Sequence, residues 1–132
     1  IRMQAYILTS QPIAKALVAA QQRGVEVAVL VDAKMNKRGS GKAIPLLQQA
    51  GVPVAYETEY AAAHNKVIVV DEGRPGCAVL TGSYNFTWSA SQRNAENVLI
   101  VRGQCELVRA YADNWRRHFA DAQNDKRLPF KP

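Results

Sequence analysis

Three short, almost uninterrupted runs of apolar residues constrain the fold of this chain more than any other feature. They occupy residues 27–31, 67–70 and 98–101. Runs of this length are typical of β-strands, and those at 27–31 and 67–70 are expected to be buried in a sheet. They are also far shorter than the roughly 20 apolar residues that a membrane-spanning helix needs. The sequence therefore predicts a globular, sheet-based domain without a transmembrane helix.

Helical patterns alternate with the strands. Residues 11–23 carry apolar side chains at helical spacing between Pro12 and Gly24, which are typical start and stop signals. A short helix is predicted at 43–50, and a long one at 106–122. The long helix carries a stripe of large side chains at every fourth residue that is expected in the core, namely Leu107, Tyr111, Trp115 and Phe119. Strands are predicted at 3–9, 25–32, 52–56, 66–71, 77–81 and 97–102. This order predicts an α/β fold, a mixed β-sheet flanked by helices on both faces.

The chain is basic, with 17 Lys and Arg against 11 Asp and Glu and a net charge of +6. Such an excess favours partners that carry phosphate, either nucleic acid or acidic lipid. The densest positive segment is the glycine-rich loop 33–42, which contains Lys34, Lys37, Arg38 and Lys42. Two interpretations of this loop stay open, a solvated surface loop and a contact for the nucleic-acid backbone.

Cysteine and histidine are scarce. Cys77 and Cys105 are too isolated for a zinc site, and they are either two half-buried thiols or one disulfide. With two histidines and no cluster of carboxylates, the sequence predicts no catalytic metal and no other cofactor.

A group of polar residues follows a fixed spacing around one predicted strand. His64, Lys66 and Asp71 form the pattern H-x-K-x-x-x-x-D. Because alternate side chains of a strand point to the same face, His64 and Lys66 are expected side by side at the strand's entrance. A second group, with Gly82, Ser83 and Asn85 as G-S-x-N, follows the next strand. A histidine, a cation and neutral hydrogen-bonding groups at strand ends suit phosphoryl transfer.

These two groups resemble the HKD motif of the phospholipase D superfamily. The segment 94–97 resembles that family's acidic element, and 16–32 resembles the helix and strand that precede the motif in small single-motif members. The likeness runs from about Arg2 to Phe119 and is greatest to the small bacterial endonucleases. It implies a single phospholipase D-like catalytic domain over 1–132. Small members usually carry one more strand and helix first, so the resemblance also implies a segment preceding Ile1.

The resemblance implies a role for each residue of the motif. His64 is expected to be the nucleophile, forming a phosphohistidine, while Lys66 and Asn85 hold the non-bridging phosphate oxygens. Ser83 is expected to hydrogen-bond near the phosphate or the imidazole. Glu96 is expected to accept a hydrogen bond from His64 and fix its tautomer. The motif residues Asp71 and Gly82 are expected to be structural, with Asp71 outside the phosphate site.

The chain departs from a self-sufficient enzyme of this family in one respect. The mechanism needs a second histidine, and this histidine protonates the leaving oxygen. The chain offers only His118, which is followed two residues later by Ala120 rather than lysine and lies in the predicted terminal helix. The second imidazole is therefore expected from another copy of His64. This predicts a homodimer with one composite site on the two-fold axis.

The leading functional hypothesis is a metal-independent, non-specific endonuclease, with DNA favoured and RNA open as the substrate. The alternatives are a phospholipid hydrolase or phosphatidyltransferase of the same superfamily, and a catalytically idle nucleic-acid-binding module. Three aromatic residues interleave the second motif, Tyr84, Phe86 and Trp88, and either pack in the core or stack on bases. No stable insertion into a membrane is expected, and the periplasm, the exterior of the cell and the cytoplasm all stay open as compartments.

Overall fold

Six strands form one mixed sheet in the computed structural model, which describes residues 1–36 and 41–124. Four helices connect or flank these strands. In chain order the elements are β1 (Arg2–Ala5), α1 (Gln11–Gln22), β2 (Ala28–Asp32), α2 (Ala43–Gln49), β3 (Val54–Glu57), β4 (Lys66–Val70), β5 (Ala78–Gly82), α3 (Trp88–Gln92), β6 (Val98–Arg102) and α4 (Cys105–Asn124).

The strand order in the sheet is β3-β2-β1-β4-β5-β6. Strands β1, β2 and β3 run parallel, and β4 pairs antiparallel with β1, as do β5 with β4 and β6 with β5. The last residue of β1, Ala5, therefore lies opposite Lys66, the first residue of β4, and Gly82 lies opposite Val98. One edge of the sheet thus collects the end of β1, the start of β4, the end of β5 and the start of β6. We call it the upper edge.

Helices cover both faces of the sheet, which confirms the predicted fold class. On one face, α1 and α2 bury Leu17 and Leu47 against Met3 of β1 and its neighbours in β2. On the other face, α4 packs Val108 and Trp115 against the sheet. The indole of Trp115 also donates a hydrogen bond to the backbone oxygen of Met3 (2.8 Å). Burial of each aliphatic side chain in these contacts contributes about 1.5–3 kcal/mol to folding. The helices therefore close the core on both faces of the sheet.

Two sequence predictions about the elements are corrected by the structure. The strand predicted at 3–9 ends at Ala5, because the chain then bends towards Phe86, whose carbonyl accepts from the backbone amides of Thr9 and Ser10. Leu107, predicted to lie in the core with the rest of its stripe, is exposed in the first turns of α4. Among the described residues, no helix combines the length and hydropathy that crossing a bilayer requires.

A disulfide joins Cys77 and Cys105, which resolves the alternative that the sequence left open. Their Cα atoms lie 5.7 Å apart, and 28 positions of sequence separate them. The bond fastens the start of β5 to the first residue of α4. Closing a loop of this length stabilises a folded chain by about 3.6 kcal/mol, mainly by restricting the unfolded state.

Candidate active site

His64 and Lys66 meet at the upper edge of the sheet. The Lys66 Nζ atom lies 3.1 Å from Nδ1 and 3.0 Å from Nε2 of the His64 ring, and it donates to the His64 backbone oxygen at 2.9 Å. This is the side-by-side arrangement that strand alternation predicts. It places a nucleophilic nitrogen and a cation within reach of one phosphate group.

Lys66 is held in a partly dry environment. Only 5% of the residue is exposed, and its ammonium lies 4.9 Å from the centre of the Tyr6 ring. The same tyrosine packs against the imidazole of His64, with ring centres 4.3 Å apart. Burial lowers the pKa of Lys66, and the negative charge of Glu96 partly offsets that shift.

Two buried polar residues fasten the backbone on both sides of this pair. The carboxylate of Asp32, at the end of β2, accepts from the amide of Ala63, the residue before His64, at 2.8 Å. The side chain of Asn36 donates to the backbone oxygen of Tyr6 (2.8 Å) and accepts from the amide of Leu8 (2.9 Å). Neither residue was predicted from the sequence. The available signal was an aspartate that directly follows an apolar strand.

Ser83 and Glu96 form a second group at the same edge. Ser83 donates its hydroxyl hydrogen to Glu96 and accepts from the amide of Asn97 at 3.0 Å. The side-chain amide of Asn94 donates to the other Glu96 oxygen at 2.9 Å. These donors lower the pKa of Glu96, foremost the Ser83 hydroxyl and then Asn94. The carboxylate therefore stays ionised at a lower pH than a glutamate ordinarily does.

The partner of Glu96 differs from the one predicted. Within the described chain, its two oxygens are engaged by Ser83 and Asn94, and no hydrogen bond joins it to His64. The reason is geometric: Ser83 and Glu96 face each other across the junction of β5 and β6, whereas His64 precedes β4. Glu96 therefore acts on Lys66 through its charge rather than on the imidazole through a bond.

Gly82 makes this junction possible. A Cβ atom at this position would lie 2.2 Å from the backbone oxygen of Asn97, far inside contact distance. The φ angle of Gly82 is 155°, which side chains rarely adopt. The glycine thus lets β5 approach the start of β6 closely enough for Ser83 to reach Glu96.

Asn85 points a buried, unsatisfied atom into the structure. Among the described residues, its Oδ1 has no hydrogen-bond partner. Buried polar atoms nearly always have one, so an exception calls for a specific explanation. The neighbouring Phe86 is fixed on both sides, because its amide donates to Ile7 (3.1 Å) and its carbonyl accepts from Thr9 and Ser10. The backbone that carries Asn85 is therefore fixed at the upper edge, and the unpartnered atom of its side chain is a hydrogen-bond acceptor.

The remaining predicted residues lie elsewhere. Asp71 follows the far end of β4, so it lies outside the upper edge as expected. Lys34 donates to the backbone oxygen of Ala61 (3.1 Å), and Lys42 is exposed just before α2. Lys37 and Arg38 lie outside the described residues. The loop therefore shows one cation with a structural partner and one that faces solvent.

His118 has a structural partner of its own. Its Nδ1 atom lies 3.0 Å from a carboxylate oxygen of Glu57, a buried residue at the end of β3. The ring also contacts Tyr60 and the guanidinium of Arg117. In the described part of the chain, no three His, Cys, Asp or Glu side chains come together as a metal-binding group.

Comparison with known proteins gives one family. A family model described as "Cardiolipin synthase, PLD-like domain" matches residues 1–120. Two curated relatives are a phospholipase D of Rickettsia typhi, 44% identical over 115 residues, and a mitochondrial cardiolipin hydrolase of Xenopus tropicalis, 38% identical over 105 residues. These alignments cover 87% and 80% of this chain, and 53% and 47% of the relatives. The chain therefore spans about half the length of the curated relatives it matches.

A solved structure agrees with the family match. The crystal structure of Nuc from Salmonella typhimurium, a phospholipase D family member, superposes with a TM-score of 0.81 at 33% identity. The superposition covers 90% of this chain and 76% of that one. The mixed sheet and its flanking helices are thus shared with a solved member of the family.

Proposed function

This chain belongs to the phospholipase D-like family, and from that premise we propose that it is a phosphodiesterase that cleaves nucleic acid through a covalent intermediate on His64. The observation that carries the proposal is the contact of the His64 imidazole with the Lys66 ammonium, 3.0–3.1 Å apart. The net charge of +6 favours a polyanionic substrate. The likeness of its motifs to small bacterial endonucleases further supports nucleic acid.

The first step forms a bond between phosphorus and a ring nitrogen of His64. The nitrogen lone pair attacks the phosphodiester, and the bond from phosphorus to the leaving oxygen breaks. Lys66 and the amide of Asn85 donate to the non-bridging oxygens, where negative charge grows in the transition state. In the second step, water attacks the phosphohistidine and releases His64 unchanged. No metal takes part in either step.

The leaving oxygen needs a proton, which we assign to a second copy of His64. An imidazolium from the partner chain donates to the leaving oxygen, and the resulting imidazole then accepts the proton of the attacking water. The second histidine of this chain, His118, is engaged with Glu57 and does not supply the acid. The active unit is thus a homodimer with one composite site.

An exposed apolar surface next to the site supports such a dimer. Strand β6 lies at the edge of the sheet, and three successive residues of it, Val98, Leu99 and Ile100, are exposed. Exposed apolar groups on an edge strand are typical of a surface that binds a partner. The strand begins directly after Glu96 and Asn97, so a copy bound here approaches the catalytic residues.

A phospholipid substrate is the second candidate. The specific observation in its favour is the 44% identity to a phospholipase D and the 38% identity to a cardiolipin hydrolase. The exposed residues of β6 are equally suited to contact with acyl chains. An idle binding module is the third candidate, and the intact pair of His64 and Lys66 weighs against it.

One assay separates the three candidates. Purified protein is incubated with supercoiled plasmid, with DNA and RNA oligonucleotides and with cardiolipin vesicles, each with and without excess EDTA. We expect nicking and oligonucleotide cleavage that EDTA does not reduce, and no conversion of cardiolipin to phosphatidate and phosphatidylglycerol. That conversion without nicking would establish the phospholipase alternative. Binding without any cleavage would establish the idle module.

The charge of Glu96 gives phosphate binding a testable pH dependence. Lys66 must be protonated to hold the phosphate, and Glu96 raises its pKa against the lowering effect of burial. In Glu96→Gln the pKa of Lys66 therefore falls further, and the pH above which the protein loses affinity for a phosphodiester moves lower. Affinity is measured against pH in the His64→Ala background, where no turnover occurs. Glu106→Gln, the same change at an exposed position on α4, serves as the matched control. A loss of affinity at unchanged or higher pH would contradict this coupling.

A further inference from the structure

We propose that Trp88 and Arg93 form a stacking platform for a nucleobase within about three nucleotides of the scissile phosphate, and that the enzyme therefore prefers single-stranded nucleic acid. This inference rests on the proposed nuclease function and adds a substrate class to it. It also distinguishes the three aromatic residues that interleave the second motif, for which packing and base stacking both stayed open.

The three aromatic side chains have different surroundings. Phe86 is 2% exposed and belongs to the core beneath α1, and Tyr84 packs edge-on against it with ring centres 6.3 Å apart. Trp88, by contrast, is 59% exposed. Large aromatic side chains are normally well buried, so an indole that faces solvent beside a catalytic centre indicates a binding surface.

The guanidinium of Arg93 lies over the indole of Trp88, 4.8 Å from the ring centre. This cation–π contact orients the indole and places a positive charge beside it. Arg93 covers one face of the Trp88 indole, yet more than half of the Trp88 surface stays exposed. We therefore infer that the opposite face of the indole is available to a flat ligand. A base stacked there has its backbone phosphates close to the Arg93 charge.

The platform lies on the segment of chain that connects two residues of the site, Asn85 and Asn94. Trp88 follows Asn85 by three residues, which limits the distance between their Cα atoms to about 11 Å. Arg93 directly precedes Asn94, whose side chain binds Glu96. At about 3.4 Å per stacked nucleotide, a strand held at Asn85 reaches Trp88 within roughly three nucleotides.

The segment is also rigid enough to present the indole in one place. Thr87 caps α3 by accepting from the amide of Ala90 at 3.1 Å, and Ala90 is buried against the fold. On the other side, the backbone of Phe86 is bonded to Ile7, Thr9 and Ser10. The indole therefore needs little ordering when a base binds.

Single-stranded nucleic acid fits this platform better than a duplex. In a duplex both faces of each base are already covered by neighbouring base pairs, and exposing one requires unstacking. In a single strand the base is free to stack on an aromatic ring, and every base has such a face. The platform thus discriminates by strandedness and not by sequence.

The test compares substrates with and without bases. We expect Trp88→Ala to lower the ratio of kcat/KM for a single-stranded oligonucleotide to that for bis(4-nitrophenyl) phosphate by roughly 10-fold. Trp88→Phe, which keeps a ring, is expected to recover most of the loss. Leu107→Ala removes an exposed apolar side chain on α4 and leaves the ratio unchanged. The preference of wild type for single strands over duplexes is expected to shrink in Trp88→Ala.

A binding measurement tests the platform without relying on turnover. In His64→Ala protein, an oligonucleotide is expected to quench the exposed tryptophan emission, and His64→Ala/Trp88→Ala is expected to show no such quenching. An unchanged ratio together with equal quenching in both proteins would overturn the platform. A change of oligomeric state in Trp88→Ala, or a loss confined to vesicle binding, would instead assign Trp88 to a subunit or lipid contact. Wild-type protein that quenches but cleaves no substrate would refute the nuclease function and leave the platform standing.

Discussion

His64→Ala protein is expected to keep its fold and to lose phosphodiesterase activity by about 10⁴-fold or more, as removal of a nucleophile commonly does in hydrolases. The loss follows because a ring nitrogen of His64 forms the bond to phosphorus in the covalent intermediate. Neither Lys66 nor Ser83 replaces this nucleophile at that position. Cleavage of a plasmid and of bis(4-nitrophenyl) phosphate is measured, with the thermal midpoint as a check on folding.

The matched control replaces the other histidine. His118→Gln keeps a side-chain donor for the buried carboxylate of Glu57 and removes the imidazole. This protein is expected to retain activity close to that of wild type. If His118→Gln were as inactive as His64→Ala while still folded, the second imidazole would belong to the same chain, and the composite site would be wrong.

Mixing subunits gives the second large effect. A shared site needs His64 from both copies, one to attack and one to protonate the leaving oxygen. When wild-type and His64→Ala subunits are exchanged in equal amounts, only about one quarter of the dimers carry both histidines. Activity per total protein is therefore expected to fall to about one quarter of wild type.

The same titration distinguishes the alternatives. Activity that falls as the square of the wild-type fraction supports a composite site. A fall in direct proportion to that fraction would show that each chain works alone. Subunit exchange is verified with a tagged copy, because unexchanged dimers would also give a proportional fall.

The strand pattern made most of the fold predictable. Runs such as residues 67–70 are long enough and apolar enough to identify buried strands, and the helix between Pro12 and Gly24 has clear boundaries. Element ends were less predictable, because the chain between Ala5 and Ser10 is fixed by contacts with Phe86, 76 or more positions away. The stripe on α4 was predicted buried throughout, but Leu107 is exposed.

The site was predictable where chemistry fixes both residue type and spacing. His64 and Lys66 are two apart at a strand entrance, so alternation alone brings them together. The bond of Glu96 to Ser83 depends on how closely β5 approaches β6 at Gly82, which spacing does not reveal. The disulfide stayed one of two alternatives, because two isolated cysteines carry no signal that decides between free thiols and a bond.

Trapping the intermediate tests the central claim most directly. Wild-type protein is mixed with an oligonucleotide labelled at an internal phosphate, quenched within one turnover and denatured. We expect a nucleotidyl group on His64 that survives alkali and is lost in acid, and that is absent from His64→Ala. Labelling of a different residue, or rapid turnover with no labelled protein at any time, would contradict it.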